Sequence, residues 1–211
     1  MEGDIFHILN RGVEKRKIFS DQKDYLRFTH NFQDFNSTDP VLGPYSDRRA
    51  YLAIRKPGKQ LVNILCWCLM PNHYHILVQE KIKGGASMFS KKVSSGYTQY
   101  FNLRNKRSGI LFQGKSKIIP VQKDAHFYHL PYYILANPIK LVEPRWQDNG
   151  IQNKNKVIKF LENYKWSSYS ELIKNNQSLH ITDQNNFLQL FDINAKELID
   201  DFTTWLSDSQ V

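Results

Sequence analysis

The sequence contains little of what secreted, disulfide-stabilised or membrane-spanning proteins carry. Its 211 residues include two cysteines, Cys66 and Cys68, one residue apart inside an apolar run. Side chains at that spacing share one face of a strand, where a disulfide between them would be strained, so we expect two buried, reduced thiols. No apolar run reaches the roughly 18 residues that a membrane-spanning helix needs.

The N-terminus also lacks the features of a secretory leader. Met1-Glu2-Gly3-Asp4 has no basic segment followed by an apolar one, and strand-like sequence begins at once. Hydrophobic residues make up 41% of the chain and aromatic residues 13%, which is typical of a folded protein and excludes a disordered one. Together these features predict a folded cytoplasmic protein.

The charge is strongly basic and unevenly distributed. The chain has 29 lysine and arginine residues against 20 aspartate and glutamate residues, a formal net charge of +9, and roughly the last thirty residues are acidic. A polarised surplus favours a polyanionic partner, nucleic acid first, and the alternative is an ordinary solvated basic surface. Basic residues of the middle segment are Lys91, Lys92, Arg104, Lys106, Arg107, Lys115 and Lys117.

Hydrophobic patterning predicts an α+β domain with an antiparallel sheet and helices on one side. Strand-like sequence over residues 61–70 and 73–79 is broken by Pro71-Asn72, as in a hairpin, and Ser20-Asp21 offers a cap for a first helix. The complete set of predicted elements is strands over 4–10, 51–55, 61–70 and 73–79, helices over 22–35, 87–103, 124–136 and 153–164, a loop over 36–47, a hairpin over 104–117, a surface segment over 166–169 and a helical C-terminal extension.

His73 and His75 flank Tyr74 on the strand predicted over 73–79. Alternation along a strand sends both imidazoles to one face and Tyr74 to the other, so the two rings can converge on one ion. Neutral imidazole is a common metal ligand, and two of them leave most coordination positions open for substrate oxygens. A bare His-x-His pattern also arises by chance, and two locally bonded histidines are its more ordinary interpretation.

Tyr133 and Asn137 stand four residues apart at the end of a predicted helix, and so share one of its faces. A tyrosine hydroxyl can attack phosphorus, and an amide oxygen can complete a metal site. The same residues equally suit a buried helix end before Pro138, and Pro131 predicts a bent or shortened helix. On composition the rival nucleophiles are Tyr97, Tyr100, Tyr128 and Tyr132.

Basic and aromatic residues are interleaved between Lys91 and Lys117. Cations there can follow a DNA backbone, and exposed rings can stack on unpaired bases. The helical spacing of the aromatic residues favours the core for them, whereas the cations suit a DNA-binding surface and a solvated rim equally well.

Several short motifs stand in an order that is typical of one family. They are HILNRGVEKRKIFSDQKDYLRF near the start, WCLMPNHYHILV in the middle, then SGILFQGKSK, YILANPIK and YKWSSY, covering roughly residues 5–170. In these segments the chain resembles the IS200-like transposases, and in particular their REP-associated tyrosine transposase branch. MPNHYHILV followed by YILANP is the most specific combination.

The resemblance implies an HUH nuclease domain with a ferredoxin-like sheet over residues 1–170 and a helical extension over 171–211. It implies a metal site made by His73, His75 and Asn137, holding Mg²⁺ or Mn²⁺, with Tyr133 as the nucleophile. Of these ions, Mn²⁺ suits imidazole ligands better. The residues that we expect to contact DNA are Arg11, Lys91, Lys92, Arg104, Lys115 and Lys117.

Such an enzyme cuts and rejoins single-stranded or hairpin DNA through a 5′-phosphotyrosine intermediate. The resemblance further implies a monomer or homodimer in a prokaryotic cytoplasm, associated with the nucleoid. Two other functions stay open. A non-catalytic hairpin-binding protein derived from a transposase would bind DNA without a covalent adduct. A phosphoesterase that attacks with water would need more ligands near His73, where the sequence offers Glu80.

Overall fold

The chain folds around a four-stranded antiparallel sheet, and the computed structural model describes residues 3–40, 58–122, 125–174 and 179–208. β1 pairs with β3 and β4, and β2 pairs with β3, all antiparallel. The order β2-β3-β1-β4, with one helix after β1 and another after β3, is the ferredoxin-like α+β topology and confirms the predicted fold class. The strands are β1 (Ile5–Arg11), β2 (Val62–Met70), β3 (His73–Glu80) and β4 (Lys117–Val121).

Two helices, α1 (Gln22–Asp34) and α2 (Gly85–Arg104), cover one face of the sheet. The first begins where predicted, because the Asp21 side chain accepts hydrogen bonds from the backbone N–H groups of Lys23 and Asp24. Aromatic side chains from both helices pack on the sheet and exclude water from this face, so the core here is apolar. Its largest members are Phe28, Phe32, Trp67, Tyr74, Phe89 and Tyr97.

The second face of the sheet is covered by the helices that follow β4. They pack on Cys66, Cys68 and Leu77, and the predicted C-terminal extension shares this core with the helix that carries Tyr133. Both cysteines are free and fully buried, as expected. These helices are α3 (Ala125–Ala136), α4 (Trp146–Asn149), α5 (Lys154–Asn163), α6 (Tyr169–Leu172), α7 (Gln184–Phe191) and α8 (Ala195–Asp208), with a 3₁₀ turn (Asn137–Leu141) after α3.

The hairpin predicted over 104–117 is wrong. After α2 the chain makes a single bridge, Gly12 to Phe112, and then enters β4, which pairs with β1. The sequence pattern conceals β4 because the strand is short and contains Pro120, which lacks an N–H donor. Proline is tolerated in a strand at the edge of a sheet, where β4 lies.

The surface segment predicted over 166–169 is also wrong, because this segment is largely buried against β2. Ser167 and Ser168 are almost inaccessible to solvent, and the Ser168 N–H donates to the Trp67 carbonyl oxygen at 2.9 Å. Trp166 stacks on Tyr25 of α1, with ring centroids 4.6 Å apart. The segment therefore joins both cores at the β2 side of the sheet.

Some expectations fall outside the described residues, namely the strand over 51–55 and most of the loop over 36–47. Within the described ranges, no helix has both the length and the apolar character needed to cross a membrane.

Candidate functional site

His73 and His75 project from the same face of β3, toward the helices of the second face. Their ring centroids lie 5.2 Å apart, and the ring planes are nearly perpendicular. Arg11 and Leu9 of β1 stand opposite them across the sheet. The shared face predicted from the alternation is therefore confirmed.

A third histidine, His7 of β1, holds the ring of His75. Its Nε2 atom lies 2.9 Å from Nδ1 of His75, and the two rings are stacked with centroids 5.1 Å apart. Because this hydrogen bond occupies Nδ1 of His75, the Nε2 atom of His75 is the nitrogen placed to bind a metal. Sequence reasoning missed His7, whose one signal was a polar residue in an otherwise apolar strand.

His73 is oriented by two asparagine side chains. Its Nδ1 atom lies 2.6 Å from Oδ1 of Asn72, whose amide nitrogen donates to the Lys15 carbonyl oxygen at 3.2 Å. This arrangement places the ring proton on Nδ1 and a lone pair on Nε2. That Nε2 atom faces Oδ1 of Asn137 at 3.4 Å. Two lone pairs facing each other at this distance favour a cation between them.

The distance between Nε2 of His73 and Oδ1 of Asn137 fits a shared metal ion. Two atoms that are each about 2.1 Å from one ion lie roughly 3.0 Å apart in octahedral and 3.4 Å apart in tetrahedral geometry. The Nδ2 group of Asn137 is buried without a hydrogen-bond partner, which costs free energy. Such a cost is expected where the amide is needed for its oxygen atom. Across the described ranges, no cluster of three or more His, Cys, Asp or Glu side chains is placed to hold a metal. A site here would use two imidazoles and one amide oxygen.

Burial keeps both imidazoles in the neutral form. Together with the nearby positive charges of Arg11 and Lys140, burial lowers the pKa of His73 to about 4. Burial likewise lowers the pKa of His75 well below its ordinary value, assisted by His7 and His73. Neutral imidazole is the form that binds metal, so neither ring must lose a proton near pH 7.

The α3 helix brings Tyr133 to this cluster. The Tyr133 ring meets the His75 ring edge-on, with centroids 5.7 Å apart. Tyr132 instead packs on Phe202 and Trp205 of α8. Among the tyrosines of α3, Tyr133 is thus the one for which the structure shows a contact with a histidine of the site.

Neither Pro131 nor the end of α3 removes Tyr133 and Asn137 from the site. The helix runs through Pro131 to Ala136, its predicted end, and the Pro131 carbonyl oxygen accepts a hydrogen bond from the Cys66 thiol of β2 at 3.8 Å. Asn137 begins the 3₁₀ turn and does not continue α3. Because α3 ends one residue before Asn137, the two residues do not share a face of one helix as inferred. Both side chains still lie next to the histidines, Tyr133 against His75 and Asn137 against His73.

Glu80 is not available as a metal ligand. Its carboxylate accepts hydrogen bonds from the backbone N–H groups of Gly84 and Ala86 at 3.1 and 2.9 Å, at the start of α2. Alternation along β3 also puts Glu80 on the face opposite His73 and His75. The residue that a water-activating phosphoesterase would need here is therefore used for structure.

Two of the cations expected to contact DNA are engaged within the protein. Arg104 forms salt bridges with Asp21 and Asp24 of the α1 region. The Lys92 ammonium group donates to the backbone carbonyl oxygens of Ser37 and Asp39. Sequence shows the charge of a residue but not its partner, which is why both resembled free cations.

The other four expected cations, Arg11, Lys91, Lys115 and Lys117, are exposed. Arg11 lies opposite His73 at the end of β1, and so places a positive charge beside the histidine cluster. Lys140 of the 3₁₀ turn adds a second charge there, which sequence reasoning missed. Both cations therefore add positive charge at the histidine cluster.

This chain is similar in fold to a solved structure of the REP-associated tyrosine transposase bound to a REP hairpin. The TM-score is 0.51, the sequence identity is 14%, and the match covers 82% of this chain and 80% of the other. The two proteins share a fold. No protein-family model matches the sequence, and no curated protein does either.

Proposed function

We propose that this protein is a metal-dependent transposase that cuts and rejoins single-stranded DNA through a covalent bond to Tyr133. The observation that carries the proposal is the convergence of Tyr133, Asn137, His73 and His75 at one end of the sheet. These four positions are also those that the resemblance to IS200-like transposases assigns to catalysis. The metal is Mg²⁺ or Mn²⁺.

The binding residues orient the scissile phosphate for attack. Nε2 of His73, Nε2 of His75 and Oδ1 of Asn137 would hold the ion, which when bound would offset negative charge on the phosphate oxygens. Asn72 and His7 fix the two imidazoles in the required tautomer. Because these side chains are held by their neighbours before DNA binds, little ordering is left for the moment of reaction.

Tyr133 carries the covalent step. Its phenol loses a proton as the oxygen attacks phosphorus, the bond from phosphorus to the 3′ oxygen breaks, and that oxygen gains a proton as a free 3′-hydroxyl. The 5′ end stays on Tyr133 as a phosphodiester. A second 3′-hydroxyl can reverse the step, since phenolate is a good leaving group. No nucleotide triphosphate is consumed, because the bond energy is kept in the phosphodiester on Tyr133. The segment GILFQGKS over residues 109–116 matches the Gly-x-x-x-x-Gly-Lys-Ser pattern, but it leads into strand β4 and not into the helix that a nucleotide-binding loop requires.

The partner is single-stranded or hairpin DNA. The net charge of +9 favours a polyanion, and the similar solved structure is of a protein bound to a REP hairpin. Arg11 and Lys140 beside the histidines place positive charge where the scissile phosphate would bind.

Adduct formation tests the proposal directly. Labelled single-stranded DNA is incubated with protein and Mn²⁺, and the products are separated under denaturing conditions. We expect a protein–DNA adduct that peptide mapping assigns to Tyr133, and that Tyr133→Phe abolishes while binding DNA normally. Tyr132→Phe, a neighbour on the same helix, is the matched control and should form the adduct at close to the wild-type rate.

The same experiment separates the alternative. A hairpin-binding protein without catalysis would bind the DNA and give no adduct at any metal concentration, and that result would refute the enzymatic proposal. An adduct mapped to Tyr132 or Tyr100 would keep the reaction but move the nucleophile.

A further inference from the structure

A groove of about 870 Å³ lies on the face of the sheet opposite the histidines, between α2 and the segment that leads into β4. Serine and threonine hydroxyls form the α2 wall, at the three- and four-residue spacing of one helix face. The facing wall combines apolar residues with a lysine. The lining includes Lys91, Ser94 and Ser95 on α2 and Ile110, Lys115 and Ser116 on the facing wall.

Tyr74 of β3 is buried and hydrogen-bonds to lining residues of both walls. The Tyr74 hydroxyl lies 2.9 Å from the hydroxyls of both Ser94 on α2 and Ser116 on the facing wall. Asn10 of β1 donates to the Gly114 carbonyl oxygen at 3.0 Å. These hydrogen bonds tie both walls to the sheet, so the groove is a fixed feature of the fold.

The lining favours a negatively charged ligand. It contains Lys91 and Lys115, both exposed, and no carboxylate. Lys92 and Arg104, in contrast, are engaged elsewhere in the protein, which leaves Lys91 as the lysine of α2 that faces the groove. Hydroxyl groups beside the two ammonium groups can donate to phosphate oxygens, and the exposed Ile110 offers an apolar surface for a base.

We propose that this groove binds an unpaired stretch of the DNA substrate, with phosphates at Lys91 and Lys115 and a base against Ile110. This inference rests on the proposed function, because it takes DNA as the partner. A cavity of this volume is of the size that accepts small ligands, so a few unpaired nucleotides fit and a duplex does not.

The position of the groove relative to the histidines explains how one strand reaches both. Tyr74, which hydrogen-bonds to both walls of the groove, stands between His73 and His75 in β3, on the opposite face of the same strand. At the end of β1, Asn10 contacts the groove wall while Arg11 lies beside the histidines. A DNA strand that leaves the groove past Lys115 therefore meets Arg11 by passing round this end of the sheet.

Binding measurements on the full chain test the groove separately from catalysis. All proteins carry Tyr133→Phe, and the buffer contains a chelator, so no adduct forms. The probes are a short labelled oligodeoxythymidine and a blunt DNA hairpin without unpaired ends. In Lys91→Ala/Lys115→Ala, the affinity for the oligodeoxythymidine should fall about 10- to 30-fold at 0.1 M salt, and the slope of log affinity against log salt should fall by about 1.4. The matched control is Lys156→Ala/Lys159→Ala on α5, which loses the same charge.

A second variant separates shape from charge. Ser95→Trp fills the groove at an exposed position without changing charge, and should weaken oligodeoxythymidine binding, while Met88→Trp, exposed on the same helix but outside the groove, should not. Loss of affinity in both lysine pairs alike, unchanged binding in Ser95→Trp, or equal losses for the blunt hairpin would each overturn the proposal. Failure of wild-type protein to form an adduct would count against the proposed function and leave this result standing.

Discussion

The two faces of the sheet differ in what they bury. Against α1 and α2 lies a network of aromatic rings, in which Phe28 meets Phe32 and Tyr97 edge-on. Against α3 lie apolar side chains together with the His7–His75 pair and the Asn137 amide. Burying polar groups costs free energy unless they are paired, whereas burying rings stabilises the fold. Both faces bury a large apolar core, and the second face in addition buries the histidine pair and the amide.

Strand β3 contributes side chains to both faces of the sheet. Its alternate residues supply Tyr74 to one side and His73 and His75 to the other. Substitution of Tyr74 should therefore change stability without changing metal binding, whereas substitution of either histidine should change metal binding.

His75→Ala is expected to have the largest effect. It removes one of two nitrogen donors, so adduct formation should fall roughly 10³-fold, comparable with losing a group that stabilises charge in a transition state. The rate is measured at saturating DNA, with melting curves to show that the variant is folded. His30→Ala, an exposed histidine on α1, is the control and should cut normally. Wild-type cutting by His75→Ala would remove the imidazole pair from the mechanism.

The buried imidazole of His73 predicts a pH-dependent stability. As pH falls, the unfolded chain takes up a proton near pH 6.5, while folded His73 stays neutral until about pH 4. Stability is thus fully present above pH 6.5 and declines between these values, by roughly 3 kcal/mol for a shift of this size. Denaturant unfolding with a chelator at a series of pH values measures it, and His73→Gln should show a shallower decline. Identical profiles for the two proteins would contradict the burial argument.

His7 should act through His75. In His7→Leu the Nδ1 partner of His75 is lost, and the affinity for Mn²⁺ should fall about 10- to 100-fold, as for other residues that orient metal ligands. Titration calorimetry measures this without DNA. His7→Gln keeps a hydrogen-bonding group and should recover part of the affinity; equal losses in both variants would point to a packing role instead.

Tyr74→Phe should have the smallest effect and confine it to the aromatic face. It removes the hydroxyl that bonds Ser94 and Ser116, so the free energy of unfolding should fall by about 1 kcal/mol. Mn²⁺ affinity should stay at the wild-type value because the hydroxyl lies on the face away from the imidazoles. A change in Mn²⁺ affinity would show that the two faces are coupled.

Local patterns in the sequence were sufficient for the elements with clear periodicity. The cap at Asp21, the β2–β3 hairpin and the shared face of His73 and His75 each depend on residues close in the chain. The ferredoxin-like class came from the family resemblance together with the order of these elements.

What the sequence did not predict depends on contacts between distant segments. The partner of His75 is 68 residues away, and the partner of Arg104 is 83 residues away. β4 forms a strand because it pairs with β1 at the edge of the sheet. Ser168 is buried because its backbone hydrogen-bonds to β2. The periodicity of residues within one segment does not indicate which distant segment it pairs with.

The spacing of the site along the chain has a consequence for the timing of its assembly. His75 is hydrogen-bonded to His7, which is 68 residues away in the chain, and His73 faces Asn137, which is 64 residues away. At a synthesis rate of about 5–20 residues per second, the ribosome needs roughly 3–13 s to extend the chain from His73 to Asn137. For most of that interval the nascent chain has both histidines but neither Tyr133 nor Asn137. The proposed nucleophile and the last of the proposed metal ligands are therefore made almost together, so the proposed site is incomplete until both have been synthesised.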